Sequence, residues 1–236
     1  MDYHIQEEKI LEVLKENVYG LRGSIAFSGG LDSSLLYVIS DRNLVPYTVG
    51  YSFSHDVNRA KFVLSLLNGS GKYVTLDEIN IENYVKYLKS EYPDINKVEI
   101  SFELVLEILL ENVDSDLLVT GQGADELFFG YKRSVNEMDN SLQMERLLKR
   151  TIPREKDMAK RQGKELVTPF LDDRILKLAS EISPAYHCLY GGKKALREIA
   201  KIAGLPEEVY GYRKKAAQYG SGIDKALKSV SYFGLF

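Results

Sequence analysis

The sequence predicts an α/β protein: a parallel β-sheet flanked by helices, with a mainly helical C-terminal part. Three observations carry that expectation. Short apolar or β-branched runs alternate with segments of helical period up to about Tyr131. The first such run ends in Ser28-Gly29-Gly30 and passes at once into a helical period. After about Tyr131 the strand signals cease.

In chain order, Ile5, Ile10, Leu11, Leu14 and Val18 give an amphipathic first helix that ends near Gly20. Ser24 to Ser28 is short, apolar and bounded by glycines, the pattern of a buried strand. Asp32 to Ser40 reads as a helix, Leu44 to Phe53 as a strand, and Asp56 to Leu67 as a helix through Val57, Ala60, Val63, Leu64 and Leu67. Lys72 to Leu76 is a third strand. Ile81 to Tyr92 is a helix stopped by Pro93, and Glu99 to Val113 is another. Asp116 to Gly123 is a strand running into a glycine turn. Helices follow over Leu142 to Arg150, Pro153 to Gln162, Arg174 to Ile182 and Lys193 to Ala203, then a tail from Gly222. No linker or repeat divides the chain. The expectation is one domain, with residues 1–131 as the α/β core and 132–236 as a helical part packed on it.

Composition narrows the function. An apolar content of 44% allows a sizeable core, and a formal net charge of −3 offers no basic face for a long nucleic acid. The single cysteine, Cys188, excludes an intrachain disulfide framework and a Cys-rich zinc site, and fits a reducing compartment. The charged N-terminus has no signal-peptide core and no apolar run approaches ~20 residues, so a cytoplasmic chain without a membrane role is expected.

The stretch "SGGLDSS" (Ser28 to Ser34) carries the chemistry. In an open parallel sheet, ligands bind beyond the carboxyl ends of the strands. Gly29 and Gly30 permit a close backbone approach, the next helix offers unpaired N–H groups, and Ser28, Ser33 and Ser34 add hydroxyls. Asp32 would repel a phosphate unless Mg²⁺ lies between them. Together these residues point to a nucleotide triphosphate with its magnesium. The bland alternative is a capped helix start with Asp32 as N-cap.

No Lys-Ser/Thr follows the glycines, so this is not the common P-loop. "SGGLDSS" resembles instead the pyrophosphate loop of ATP pyrophosphatases, which cleave ATP between the α- and β-phosphates and adenylate a substrate. That resemblance implies a Rossmann-like sheet of the adenine nucleotide α-hydrolase type. "VTGQGADELFFGYKR" (Val119 to Arg133) is similar to the asparagine synthetase signature, usually Ser-Gly-Glu/Asp-Gly-Ala/Ser-Asp-Glu-Leu/Val-Phe-x-Gly-Tyr. "VTPFLDDRI" (Val167 to Ile175) matches that family's downstream Pro-Phe-Leu-Asp element, and "GYRKKAAQYGSGI" (Gly211 to Ile223) resembles its Arg-x-Lys loop. Four motifs in the expected order identify a resemblance to the synthetase domain of asparagine synthetases.

The resemblance implies an ATP-dependent, AMP- and pyrophosphate-forming amide synthetase that adenylates a carboxylate, such as aspartate, for attack by an amine. Asp32 and Asp125 would share one Mg²⁺. Thr120, Gly121 and Gly123 would form a second close-approach turn for adenosine, with Phe27 and Val49 as adenine walls or as plain strand core. Lys215 would steady pyrophosphate and acyl-adenylate with help from Arg213, although a solvated basic turn such as Lys193-Lys194 looks much the same. Pro169 and Phe170 should pack, and Asp172 should cap the next helix.

Three departures qualify this. Gln122 stands where the family has an acid that handles the proton of the incoming amine, and an amide cannot take a proton. Adenylation is therefore a firmer expectation than amide formation. Residue 2 is Asp2 and only a short helix precedes the loop, so no N-terminal cysteine glutaminase is expected. Free ammonia, another amine or a separate glutaminase subunit would supply nitrogen, and a second copy of the chain is a further candidate partner. The helical part is short, which leaves aspartate open as the acid. Other adenylating enzymes of this fold, or a nucleotide-binding module without turnover, are the alternatives. His4, His55 and His187 have no metal-ligand spacing, and Cys188 has no reactive neighbour in the pattern, unlike sulfur-transfer relatives. Tyr131, Tyr210 and Tyr212 are expected to pack or to line the pocket.

Overall fold

The structure is a computed structural model and describes residues 3–212 and 220–231. Five parallel strands form one sheet in the order β3-β2-β1-β4-β5: β1 (Gly23–Ala26), β2 (Leu44–Gly50), β3 (Lys72–Thr75), β4 (Leu117–Val119) and β5 (Glu165–Val167). Ile25 lies opposite Pro46 on one side and Val119 on the other, so β1 is central. Every pairing is parallel, as crossovers through helices require. The connection reverses direction between β1 and β4, which puts a crevice at the carboxyl ends of those two strands.

The first helices are α1 (His4–Val18), α2 (Leu31–Ile39), α3 (His55–Leu66), α4 (Ile81–Glu91) and α5 (Lys97–Asn112), close to the periods read from the sequence. Asn96 and Glu99 close α5 with a reciprocal capping box, worth about 1 kcal/mol. After β4 come α6 (Ala124–Leu127), α7 (Lys132–Glu137), α8 (Ser141–Arg146) and α9 (Ile152–Arg161). Leu142 to Arg150 is not one α-helix: α8 widens into a π-helical turn over Leu147–Thr151 before α9. The helices α10 (Asp173–Ser180), α11 (Pro184–His187), α12 (Lys194–Ile202), α13 (Glu207–Tyr210) and α14 (Ile223–Ser231) complete the described residues.

The strands do not cease at Tyr131. β5 pairs with β4 through Leu117–Glu165, Leu118–Leu166 and Val119–Val167, so the later part of the chain contributes an edge of the sheet. Alternate strand residues feed two cores. Ile25, Phe27 and Val119 face a cluster with α1, α2, α3, α10 and α12. Tyr47, Val49, Leu118 and Leu166 face one with α4, α5, α9 and α14. Phe170 is fully buried and packs edge-on against Phe128, while Asp172 accepts a hydrogen bond from Arg174 N and caps α10, as expected for that motif. Among the described residues, no helix is long and apolar enough to cross a membrane.

Candidate active site

The phosphate-type loop leaves β1 at the crevice. Gly29 has φ +66°, and a Cβ there would lie 2.9 Å from the Arg59 carbonyl on α3, so the loop is pressed onto that helix. Arg59 braces the same turn. Its Nε donates to Gly29 O at 3.1 Å, its Nη2 to Glu208 O at 2.5 Å, and its guanidinium lies 3.9 Å from the centre of the Tyr212 ring. Gly30, extended at φ −81° and ψ 172°, is the N-cap of α2, and Asp32 lies inside the first turn. The alternative in which Asp32 serves as N-cap is thus excluded. Ser33 Oγ is 3.4 Å from Ser28 N and 3.5 Å from Gly30 O, both long contacts. Ser34 Oγ is buried with no hydrogen-bond partner.

The second turn follows β4. Thr120 Oγ1 is likewise buried and unpartnered. Gly121 lies against Asp32, with a built Cβ 3.1 Å from Asp32 Cβ, so a side chain there would crowd the carboxylate. Gly123 takes φ +92° and starts α6, which carries Asp125 and Glu126. Orphaned buried hydroxyls are costly unless something occupies them. Thr120 directly follows β4, and Ser34 lies in the first half of α2, the helix that follows the adjacent strand β1.

Asp32 and Asp125 converge on one point, and that point is an ammonium. Lys193 Nζ is 2.7 and 2.8 Å from the two oxygens of Asp32 and 2.6 Å from Asp125 Oδ1. Its side chain is only 10% exposed. Burial alone would lower its pKa, but the charges of Asp125 and Asp32 outweigh burial and raise it, so the group stays an ammonium. The main chain around it is equally fixed. Lys193 has φ +58°, and its N–H donates to Phe128 O at 2.9 Å. Gly130 leaves room for the lysine stem: a Cβ there would collide with Asp125 Oδ1 and sit 2.7 Å from Lys193 Cε. Sequence reasoning missed Lys193 because a Lys-Lys pair before a helix has the pattern of a solvated turn. The preceding Gly191-Gly192 was the available signal of close packing.

Gln122, at the crest of the second turn, donates from Nε2 to Glu155 Oε1 at 2.9 Å. Glu155 lies on α9 and is only 5% exposed. Burial, then repulsion from Glu103 and Glu126, pushes its carboxyl well above the usual range. Glu126 is pushed up to about 6 by burial and by Asp125, and it accepts a hydrogen bond from Tyr131 Oη at 2.7 Å. Neither Glu155 nor Glu126 was singled out from the sequence.

The remaining expected site residues separate. Phe27 and Val49 are buried on opposite faces of the sheet, Phe27 edge-on to Tyr37. Arg213 and Lys215 lie outside the described residues. Tyr212 Oη is 2.6 Å from His55 Nε2, His187 stacks on Phe129, and Cys188 is half-buried with its thiol pKa raised by burial. Among the described residues, no group of three or more His, Cys, Asp or Glu could hold a metal ion.

The asparagine synthase family model matches residues 22–143 and 135–231, and so spans both turns and Lys193. The chain belongs to the asparagine synthase family. Its relatives in that family include a Methanocaldococcus jannaschii protein named as a glutamine-hydrolyzing asparagine synthetase, 27% identical over 97% of this chain and 52% of the relative. The rat asparagine synthetase is 29% identical over 86% of this chain and 40% of its own length. The chain thus spans about half or less of the length of these relatives. A solved structure described as a tRNA methyltransferase subunit, also from M. jannaschii, covers 80% of this chain and 91% of its own, with a TM-score of 0.40 and 22% identity.

Proposed function

We propose that the chain is an ATP-dependent, AMP- and pyrophosphate-forming amide synthetase that activates a carboxylate and passes it to an amine. The observation that carries this reading is the convergence of Asp32 and Asp125 on one point at the carboxyl ends of β1 and β4, where the segments that follow also carry the orphaned hydroxyls of Ser34 and Thr120. A cradle of backbone N–H groups and hydroxyls suits the pyrophosphate end of the nucleotide. Two carboxylates on one point fit a magnesium ion, which takes one or two carboxylates together with phosphate oxygens. Asp32 and Asp125 would hold that ion, which when bound neutralises charge on the leaving pyrophosphate.

Ser28 to Ser34 orient the triphosphate, and Lys193 offers a buried positive charge close to it. Family resemblance assigns Lys215 and Arg213 to the α-phosphate side. Glu155 answers the difficulty posed by Gln122. The glutamine amide orients the incoming amine and Glu155 accepts its proton, because a raised pKa brings a carboxylate closer in basicity to the group it must deprotonate. The carboxylate substrate and the nitrogen source are those of an asparagine synthetase or of a close chemical analogue. A nucleotide-binding module without turnover is the second reading, favoured by Gln122.

Acid-dependent exchange of labelled pyrophosphate into ATP tests adenylation by itself. Exchange is expected with one member of a panel of amino-acid carboxylates, and Asp32→Ala should abolish it. ATP binding without exchange for every acid would favour the second reading. Glu155→Gln should keep exchange but lower amide formation by about 10²–10⁴-fold. Equal loss of both would remove Glu155 from the amine step.

A further inference from the structure

We infer that Lys193 is the resident counter-ion of this site and that it sets the order of ligand arrival: a divalent cation enters with the triphosphate and not before it. The inference rests on the proposed nucleotide reading. An ammonium has three donors, and all three are committed here, two to Asp32 and one to Asp125. Asp32 is almost fully buried, and so is the ammonium. The two carboxylates would repel each other without a cation between them, and Lys193 supplies that cation from within the chain.

A magnesium or manganese ion bound by both carboxylates must approach their oxygens far more closely, at about 2.0–2.1 Å for magnesium. Lys193 Nζ stands in that space. Its backbone cannot retreat easily, being pinned to Phe128 O, and its stem is walled by Gly130. A metal ion arriving by itself would therefore leave a buried ammonium beside a second cation with no new acceptor. A triphosphate arriving with the metal brings its own oxygens to the same place. The lysine then changes partners from carboxylate to phosphate over a short swing of the side chain, and its charge is used in both states.

Equilibrium dialysis against Mn²⁺, with and without α,β-methylene ATP, reads this directly. Wild-type protein should bind Mn²⁺ at least tenfold more tightly with the nucleotide analogue than without it. Lys193→Met should bind Mn²⁺ without the analogue at least tenfold more tightly than wild type, and adding Asp32→Asn should remove that gain. A folded Lys193→Met protein that gains no Mn²⁺ affinity overturns the inference. Should that variant fail to fold, wild type decides: nucleotide-free Mn²⁺ binding as tight as in the presence of the analogue, and lost in Asp32→Asn, overturns it. Wild type that retains neither the analogue nor Mn²⁺ overturns the nucleotide reading itself, and the inference with it.

Discussion

Two ionic groups of this molecule, one at the sheet rim and one between α5 and α9, are built on different rules. At the sheet rim, one ammonium serves two carboxylates with three bonds of 2.6–2.8 Å. Between α5 and α9, Arg154 and Arg150 serve a larger set of acids, Arg150 pairing with Glu99 at 2.7 Å. Arg154 pairs with Glu103 at 2.8 Å and with Glu99 at 3.3 Å, while Glu107 and Glu155 rely on the amides of Gln162 and Gln122. One oxygen each of Glu103 and Glu107 is buried without a partner. At the rim both acids meet the one ammonium directly, and that ammonium keeps its charge. In the inter-helix group Glu107 and Glu155 meet amides in place of cations, and burial lifts the pKa values of Glu103, to about 7, and of Glu107. A fixed charge pattern suits holding a polyanion; a set of acids with raised pKa values suits proton exchange.

Removing Arg154 from the second group should have the largest effect. Arg154→Met leaves Glu103 uncompensated, while Glu99 keeps Arg150 at 2.7 Å; a broken buried pair costs about 3–5 kcal/mol. Urea denaturation at pH 7 should show that loss, and a smaller one at pH 5, where Glu103 can carry a proton. Equal losses at both values would break the contrast. Next comes Gly130→Ala, which drives a methyl into Asp125 and Lys193. An overpacking cost of about 1–3 kcal/mol is expected, together with weaker binding of the nucleotide analogue; the same melt with unchanged binding would detach Gly130 from the site. The smallest effect is the pH slope. A carboxyl whose folded pKa is raised stabilises the fold below its unfolded value of 4.5, and this contribution is lost as pH rises through about 7. Stability should therefore fall between pH 5 and 7, by at most about 1.4 kcal/mol per pH unit for this one group, and Glu103→Gln should flatten the slope in thermal melts. A slope that survives the substitution would assign the effect to Glu107 or Glu155 instead.

Local pattern made the loop end legible. The run Ser24 to Ser40 shows its strand, its glycine bend and its helix because each has its own period and its own permissive residues. The approach of Asp125 to Asp32 could be read too, since both lie at the start of helices after neighbouring strands. β5 was hidden: its three residues include Glu165 and offer only Leu166 and Val167 as a strand signal. Lys193 was hidden because a basic pair carries no mark of burial. The contact of Gln122 with Glu155 joins two ordinary polar residues, and only the packing of α9 against the sheet brings them together. Periodicity reports what one segment does with its own side chains, whereas these three features arise from segments meeting.

The distance along the chain between Asp32 and Lys193 has a consequence for synthesis. The two are 161 residues apart, which at 5–20 residues per second means roughly 8–32 s of translation between them. During that interval the nascent chain carries the first strand, its bend and Asp32, joined by Asp125 only in its second half, without their lysine, and β5 is delivered only near its end. A ribosome therefore releases the ion-paired crevice as a late product, and a chain stalled between Asp125 and Lys193 would present two mutually repelling acids to the cell instead of the finished Asp32–Lys193–Asp125 group.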